Sequence, residues 1–170
     1  MYYGNIKNCD IADGPGVRVS LFVSGCRNHC PGCFQSETWD FKYGKPFTKE
    51  VELKLSEMLN PSYIVGLTIL GGDPFEPENL PEVTKLCRFI KLQHPNKTIW
   101  LYTGYRFEDF ASEEICQYLD VIVDGRFVES QKNLNLRFRG SENQRIIDVQ
   151  NSIRTGKVIE WIDPDLEGLM

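Results

Sequence analysis

Apolar blocks separated by polar turns set the first outline of this chain. Val17-Arg18-Val19-Ser20-Leu21-Phe22-Val23 starts with apolar–polar alternation and ends apolar, the pattern of a strand entering a buried sheet. Ile64 to Leu70, Thr98 to Thr103 and Asp120 to Val123 predict three further strands, and Ile146 to Val149 a last core strand. Helical periodicity lies between them. Thr48 is placed to cap a helix from about Lys49 to Leu59, whose Val51, Leu55, Met58 and Leu59 share one face before Asn60-Pro61 ends it. Val83, Leu86, Cys87 and Ile90 line a helix from about Pro81 to Gln93, stopped by His94-Pro95. A short helix is predicted near Ser112 to Tyr118. Residues 1–16 read as an irregular lead-in, 128–144 as a polar loop, 152–162 as one more strand and 163–170 as a tail.

Strands alternating with helices predict an α/β fold with a mainly parallel sheet. A full eight-fold (βα) barrel takes about 250 residues, and this chain has 170. The expectation is therefore an open partial (βα) barrel, smaller than a full TIM barrel. It would form one domain over 1–170, with its core at about 3–150 and a short extension at 151–170.

Composition narrows the partners. A hydrophobic share of 41% suffices for a core. No apolar run approaches a membrane span. Met1-Tyr2-Tyr3-Gly4-Asn5 has neither a basic region nor an apolar one, which implies a cytoplasmic protein. The net charge of −5, without a lysine or arginine block, weighs against nucleic acid as the main partner. Six cysteines in a reducing compartment read as ligands or buried thiols rather than disulfides.

The densest chemistry is Cys26-Arg27-Asn28-His29-Cys30-Pro31-Gly32-Cys33, directly after the first strand. The spacing C-x3-C-x2-C would also line a helix face, but Pro31, Gly32 and Asn28 are poor helix residues, so the stretch reads as a loop. Two metal readings stay open. Zinc wants four ligands, with Cys9, His29, Cys87 or Cys116 as possible fourth, and no second C-x2-C supplies the usual other half. A [4Fe–4S] cluster held by Cys26, Cys30 and Cys33 would keep one iron open for substrate. The loop sits at the C-terminal end of a strand, where α/β folds bind ligands.

Other strand ends add candidates. Gly71-Gly72-Asp73-Pro74 follows the second strand, where two glycines let backbone approach a ligand and Asp73 can meet a cation. Thr103 and Asp124 end later strands, Asp124 as a contact to a ribose or cation or as a turn residue. Arg137, Arg139 and Arg145 form a basic patch along the sequence, read either as a solvated face or as a docking or carboxylate-binding surface.

These motifs, taken together, resemble the glycyl-radical-enzyme activases of the radical S-adenosylmethionine superfamily. The residues that carry the resemblance are Asp13-Gly14-Pro15-Gly16-Val17-Arg18, Phe22-Val23-Ser24-Gly25-Cys26, Thr38-Trp39, Gly71-Gly72-Asp73-Pro74 and Arg139-Gly140-Ser141-Glu142-Asn143-Gln144-Arg145. Within that group the pattern is most similar to the activases of anaerobic (class III) ribonucleotide reductase. The resemblance implies a [4Fe–4S] cluster on Cys26, Cys30 and Cys33, and S-adenosylmethionine bound near Gly32, Cys33, Phe34, Gly71, Gly72, Asp73, Pro74, Thr103 and Asp124. Superfamily members often carry an aromatic residue where this chain has Gly32, and Phe34 would take over its packing against the adenine. They usually have a glutamate where this chain has Asp73, at the motif that meets the cofactor's amino group. Also implied are reductive cleavage to a 5′-deoxyadenosyl radical, a glycine of the large reductase subunit as hydrogen donor, and a reduced flavodoxin-like electron donor. A compact 7-deazaguanine-type synthase of the same superfamily and a zinc-binding interaction module are the competing readings.

Overall fold

A computed structural model describes residues 1–168. In chain order the elements are β1 (Tyr2–Asp10), β2 (Val17–Val23), β3 (Lys45–Pro46), α1 (Lys49–Met58), β4 (Ile64–Gly71), α2 (Leu80–Gln93), β5 (Thr98–Tyr102), β6 (Val121–Asp124), β7 (Arg145–Asp148), α3 (Val149–Thr155) and α4 (Pro164–Glu167). The seven strands form one sheet in the order β3-β1-β2-β4-β5-β6-β7. Its middle, β2-β4-β5-β6, is parallel, and β1, β3 and β7 add antiparallel edges.

Side chains alternate across the sheet. Val19, Leu21, Leu67, Ile69, Ile99, Leu101 and Ile122 face a core shared with Leu55 of α1 and with Val83, Leu86, Cys87 and Ile90 of α2. The helices sit where their apolar spacing required. Thr48 caps α1 by accepting from the Val51 N–H, and Pro81 lies in the first turn of α2. The opposite sheet face carries Trp100, Val121 and Val123, packed with Tyr102, Phe138, Ile146 and Trp161. Arg18, Ser20 and Thr68 also point there. The fully buried Arg18 guanidinium donates to Thr68 Oγ1 at 2.8 Å, Thr98 Oγ1 at 3.0 Å and the Leu67 carbonyl at 3.0 Å.

Several expectations need correction. Residues 2–10 are a strand, not an irregular lead-in. Their polar sequence gives no alternation, and two register shifts interrupt the pairing, so the ladder to β2 holds the strand rather than its own propensity. The last core strand pairs antiparallel with β6 and turns at once into α3, which Asp148 caps from its carboxylate and Gly156 ends in the left-handed region. The extra strand expected at 152–162 is instead the end of this helix followed by irregular chain, with one bridge from Glu160 to Ile147. The helix near Ser112 is a single 3-10 turn, Glu114–Gln117. The expected tail begins with α4, and its last two residues lie outside the described ones. No helix among the described residues is long and apolar enough to cross a membrane.

Candidate iron–sulfur and cofactor site

The loop after β2 is built on the loop after β4. Parallel pairing brings Val23 beside Gly71, and the next residues continue the contact. Gly72 N–H donates to the Val23 carbonyl at 2.7 Å, and Asp73 N–H to that of Gly25 at 2.8 Å. Asn79 Nδ2 donates to the Ser24 carbonyl at 3.0 Å. Only glycine permits this approach at 72, where a Cβ would stand 2.6 Å from the Gly25 carbonyl oxygen. A second close approach occurs at Gly104, where a Cβ would lie 2.3 Å from Asn28 Nδ2.

Asp73 ties three segments together. Its Oδ1 accepts from Phe75 N–H at 3.0 Å and from the Thr103 hydroxyl at 2.8 Å. Its Oδ2 accepts from Gly104 N–H at 2.8 Å and from Asn28 Nδ2 at 3.0 Å. The side chain is 1% exposed. Burial pushes its carboxyl up to about 6, against the opposing pull of the hydrogen bonds from Phe75, Gly104 and Thr103. A carboxylate with four internal donors positions its neighbours first. The sequence suggested a ligand contact, whereas the structure gives Asp73 the loop end, the β5 end and the cysteine loop.

A cleft of about 500 Å³ opens beside these strand ends, on the sheet face opposite the helices. Cys26, Cys30 and Cys33 all line it, together with Phe34, Gly71, Gly72, Asp73 and Thr103. Phe34 is 57% exposed and tilted against Phe127 at 5.1 Å. Lys7, Asp13 and Tyr102 border the same cleft. Burial, helped by the charge of Asp10 and a hydrogen bond to it, pushes the Asp13 carboxyl up to about 7.

Three predicted contacts are not brought to the cleft. Gly32 turns away from it, beside Glu129. Pro74 is buried behind it. Asp124 is fully buried under Arg145, whose Nε donates to Oδ1 at 2.9 Å, and its Oδ2 accepts from Phe107 N–H at 2.9 Å. An aspartate paired in this way fits the turn-residue reading of its strand-end position better than a contact to a ribose or cation. The expected arginine patch also dissolves. Arg137 pairs with Asp163 and Asp165 near the C-terminus, and Arg145 with Asp124 and Glu108. Only Arg139 of the three lines the cleft.

The donor set suits a three-thiolate metal group. Burial pushes Cys26 up to about 11 and Cys30 upward, so both are thiols at neutral pH, and metal binding would release their protons. Cys87 and Cys116 are buried in the core on the helical side, and Cys9 is exposed on β1 outside the cleft. His29, the other candidate ligand, stacks on Trp39 with ring centroids 4.4 Å apart. Among the described residues no three His, Cys, Asp or Glu side chains converge on a single ion position. A cubane does not require that, since each thiolate binds its own iron.

Residues the sequence reading passed over also build the site. Asn28 bridges Asp73 to Arg126, whose Nε donates to Asn28 Oδ1 at 3.1 Å. Glu76 grips the backbone beside Cys26. Neither has a motif of its own, because each works through a partner distant in sequence.

A fold that gathers three thiols of one loop at parallel strand ends is one for a single metal cluster, and the comparisons agree. The chain belongs to the 4Fe-4S single cluster domain family, whose pattern matches residues 12–147. It is also similar to curated proteins described as anaerobic ribonucleoside-triphosphate reductase-activating protein. The relative from Enterobacteria phage T4 is 45% identical over 148 residues, covering 86% of this chain and 93% of its own length. That from Escherichia coli K12 is 41% identical, over 85% and 96%. That from Vibrio cholerae is 41% identical, over 86% and 97%.

Proposed function

We propose that this chain activates an anaerobic ribonucleoside-triphosphate reductase by making a glycyl radical on its large subunit. The observation that carries the reading is the cleft itself. Three thiols from one loop line it, and the remaining cysteines lie elsewhere. Cys26, Cys30 and Cys33 would hold a [4Fe–4S] cluster and leave one iron for the amino and carboxylate groups of S-adenosylmethionine. A cluster held there, with a reduced flavodoxin-like protein as its electron source, would supply the one-electron chemistry for reductive cleavage of S-adenosylmethionine to a 5′-deoxyadenosyl radical, the oxidant that glycyl radical formation would need.

The chain's own residues have defined tasks in this scheme. Gly71 and Gly72 let the cysteine loop pack directly on the end of β4 at the edge of the cleft, and Phe34 offers an aromatic face at the mouth. Asp73 and Thr103 hold the cysteine loop against β5. Phe22, Leu70, Phe127 and Phe138 supply the apolar part of the cleft wall. The sheet would curve as an open partial barrel within one domain, with its unfilled side receiving a protein loop. We place this activity in the cytoplasm, without nucleic acid or membrane as partner.

The deciding experiment is anaerobic reconstitution with iron and sulfide, followed by reduction and electron paramagnetic resonance with and without S-adenosylmethionine. The expected result is a reduced [4Fe–4S] signal that changes on adding the cofactor, then a glycyl radical doublet once reductase is added. A colourless protein that retains zinc and forms no cluster would overturn the reading in favour of an interaction module.

A further inference from the structure

The β4–α2 connection holds a second carboxylate, and it reaches the cysteine loop from behind. Glu76 is fully buried and does not border the cleft. Its Oε1 accepts from the backbone N–H of Arg27, the residue after Cys26, at 2.7 Å, and from the Tyr105 hydroxyl at 3.0 Å. Its Oε2 accepts from Arg27 Nη1 at 2.7 Å. Arg27 also pairs with the half-exposed Glu78 and lies over the Phe41 ring at 4.5 Å. One buried anion therefore joins the first cysteine's peptide to the turn after β5.

We propose that Glu76 is a positioning residue for the cysteine loop, fixing the peptide beside Cys26 and setting a negative charge behind it. The proposal rests on the cluster reading for its redox part and on hydrogen bonding alone for its structural part. Two consequences follow. Bonds to a buried charge are stronger than neutral ones, so the loop at Arg27 should be ordered before any metal arrives. The Glu76 charge offsets that of Arg27, and without it the Arg27 cation beside Cys26 would favour adding an electron, so Glu76 should lower the reduction potential of a cluster on Cys26. Glu78 carries the same charge in solvent, where screening removes most of its effect.

The test compares wild type with Glu76→Gln, which keeps the shape and one acceptor, and with Glu78→Gln as the exposed control. Amide hydrogen exchange on the metal-free protein is read at residues 24–33 and in β4 and β5. Redox titration followed by paramagnetic resonance is read on the reconstituted protein. In Glu76→Gln, exchange around Arg27 should quicken about tenfold or more, as loss of a charge-assisted bond implies, while β4 and β5 keep their protection. The midpoint potential should move to a more positive value, and Glu78→Gln should leave both measurements where wild type has them. Wild-type exchange and potential in Glu76→Gln would overturn the proposal. So would an equal effect of Glu78→Gln, or loss of protection throughout β4 and β5, which would make Glu76 a general determinant of the fold. Failure of the wild-type protein to assemble a cluster would refute the proposed function, while the exchange measurement would still decide the positioning role.

Discussion

Asp73→Asn separates what a buried charge does for geometry from what it does for stability. The substitution keeps the shape and exchanges one acceptor oxygen for an NH₂ group. The two oxygens now serve four donors, two of them the backbone N–H groups of Phe75 and Gly104, one on each oxygen. Whichever way the amide turns, one buried N–H loses its acceptor, at a cost of about 1–3 kcal/mol. Against this stands the charge. Burial lifts the Asp73 carboxyl from 3.8 to about 6, so holding it ionised in the folded state costs about 3 kcal/mol. Asparagine relieves that cost. At pH 7.5 the two effects nearly cancel, and the proteins should agree in stability within about 2 kcal/mol.

The pH dependence then carries the decision. A carboxyl raised in the folded state takes up a proton there before it does so in the unfolded chain, so its contribution is largest below pH 3.8 and is lost as pH rises through about 6. On going from pH 7.5 to pH 5, wild type should gain about 1.4 kcal/mol from this group, and Asp73→Asn nothing. Other titrating groups, Asp13 among them, act in both proteins and drop out of the difference. Denaturant unfolding of the metal-free proteins under reducing conditions at the two pH values measures it. A stability difference that stays constant, or that turns against wild type at pH 5, would refute the reasoning.

Other outcomes follow from the same geometry. Cys26→Ala, Cys30→Ala and Cys33→Ala should each abolish cluster assembly, whereas Cys9→Ala, Cys87→Ala and Cys116→Ala should keep it. Iron and sulfide analysis after reconstitution checks this, and loss of the cluster in the second group would break the ligand assignment. Arg145→Met leaves the buried Asp124 without its cation and should lower stability by about 3–5 kcal/mol, read from denaturant unfolding; a change under about 1 kcal/mol would show that Asp124 reaches water. Trp100→Ala removes edge-on contacts to Phe138 at 5.6 Å and Trp161 at 4.9 Å. It should cost about 3–5 kcal/mol and speed exchange in the 132–140 loop, and unchanged exchange there would detach that loop from the second core.

The strands and helices that bury a continuous apolar face were legible from the chain alone. β2, β4, β5, α1 and α2 have a period that only one local geometry satisfies, and their ends carry glycine, proline or a capping threonine. The cysteine loop was legible for a chemical reason, since three thiols at close spacing around proline and glycine have few other uses. The edge strands were not, because Tyr2–Asp10 and Lys45–Pro46 hold few apolar residues and owe their shape to the neighbours they pair with. Nor could the sequence separate the roles of its strand-end acids. Asp73 and Asp124 both lie at the C-terminal ends of parallel strands, Asp73 just beyond β4 and Asp124 as the last residue of β6, yet one gathers N–H donors around the cysteine loop and the other is paired with Arg145. Glu76 had no signal at all. A carboxylate's function depends on which donors surround it, and here those donors come from segments tens of residues away, so only the tertiary structure could decide it.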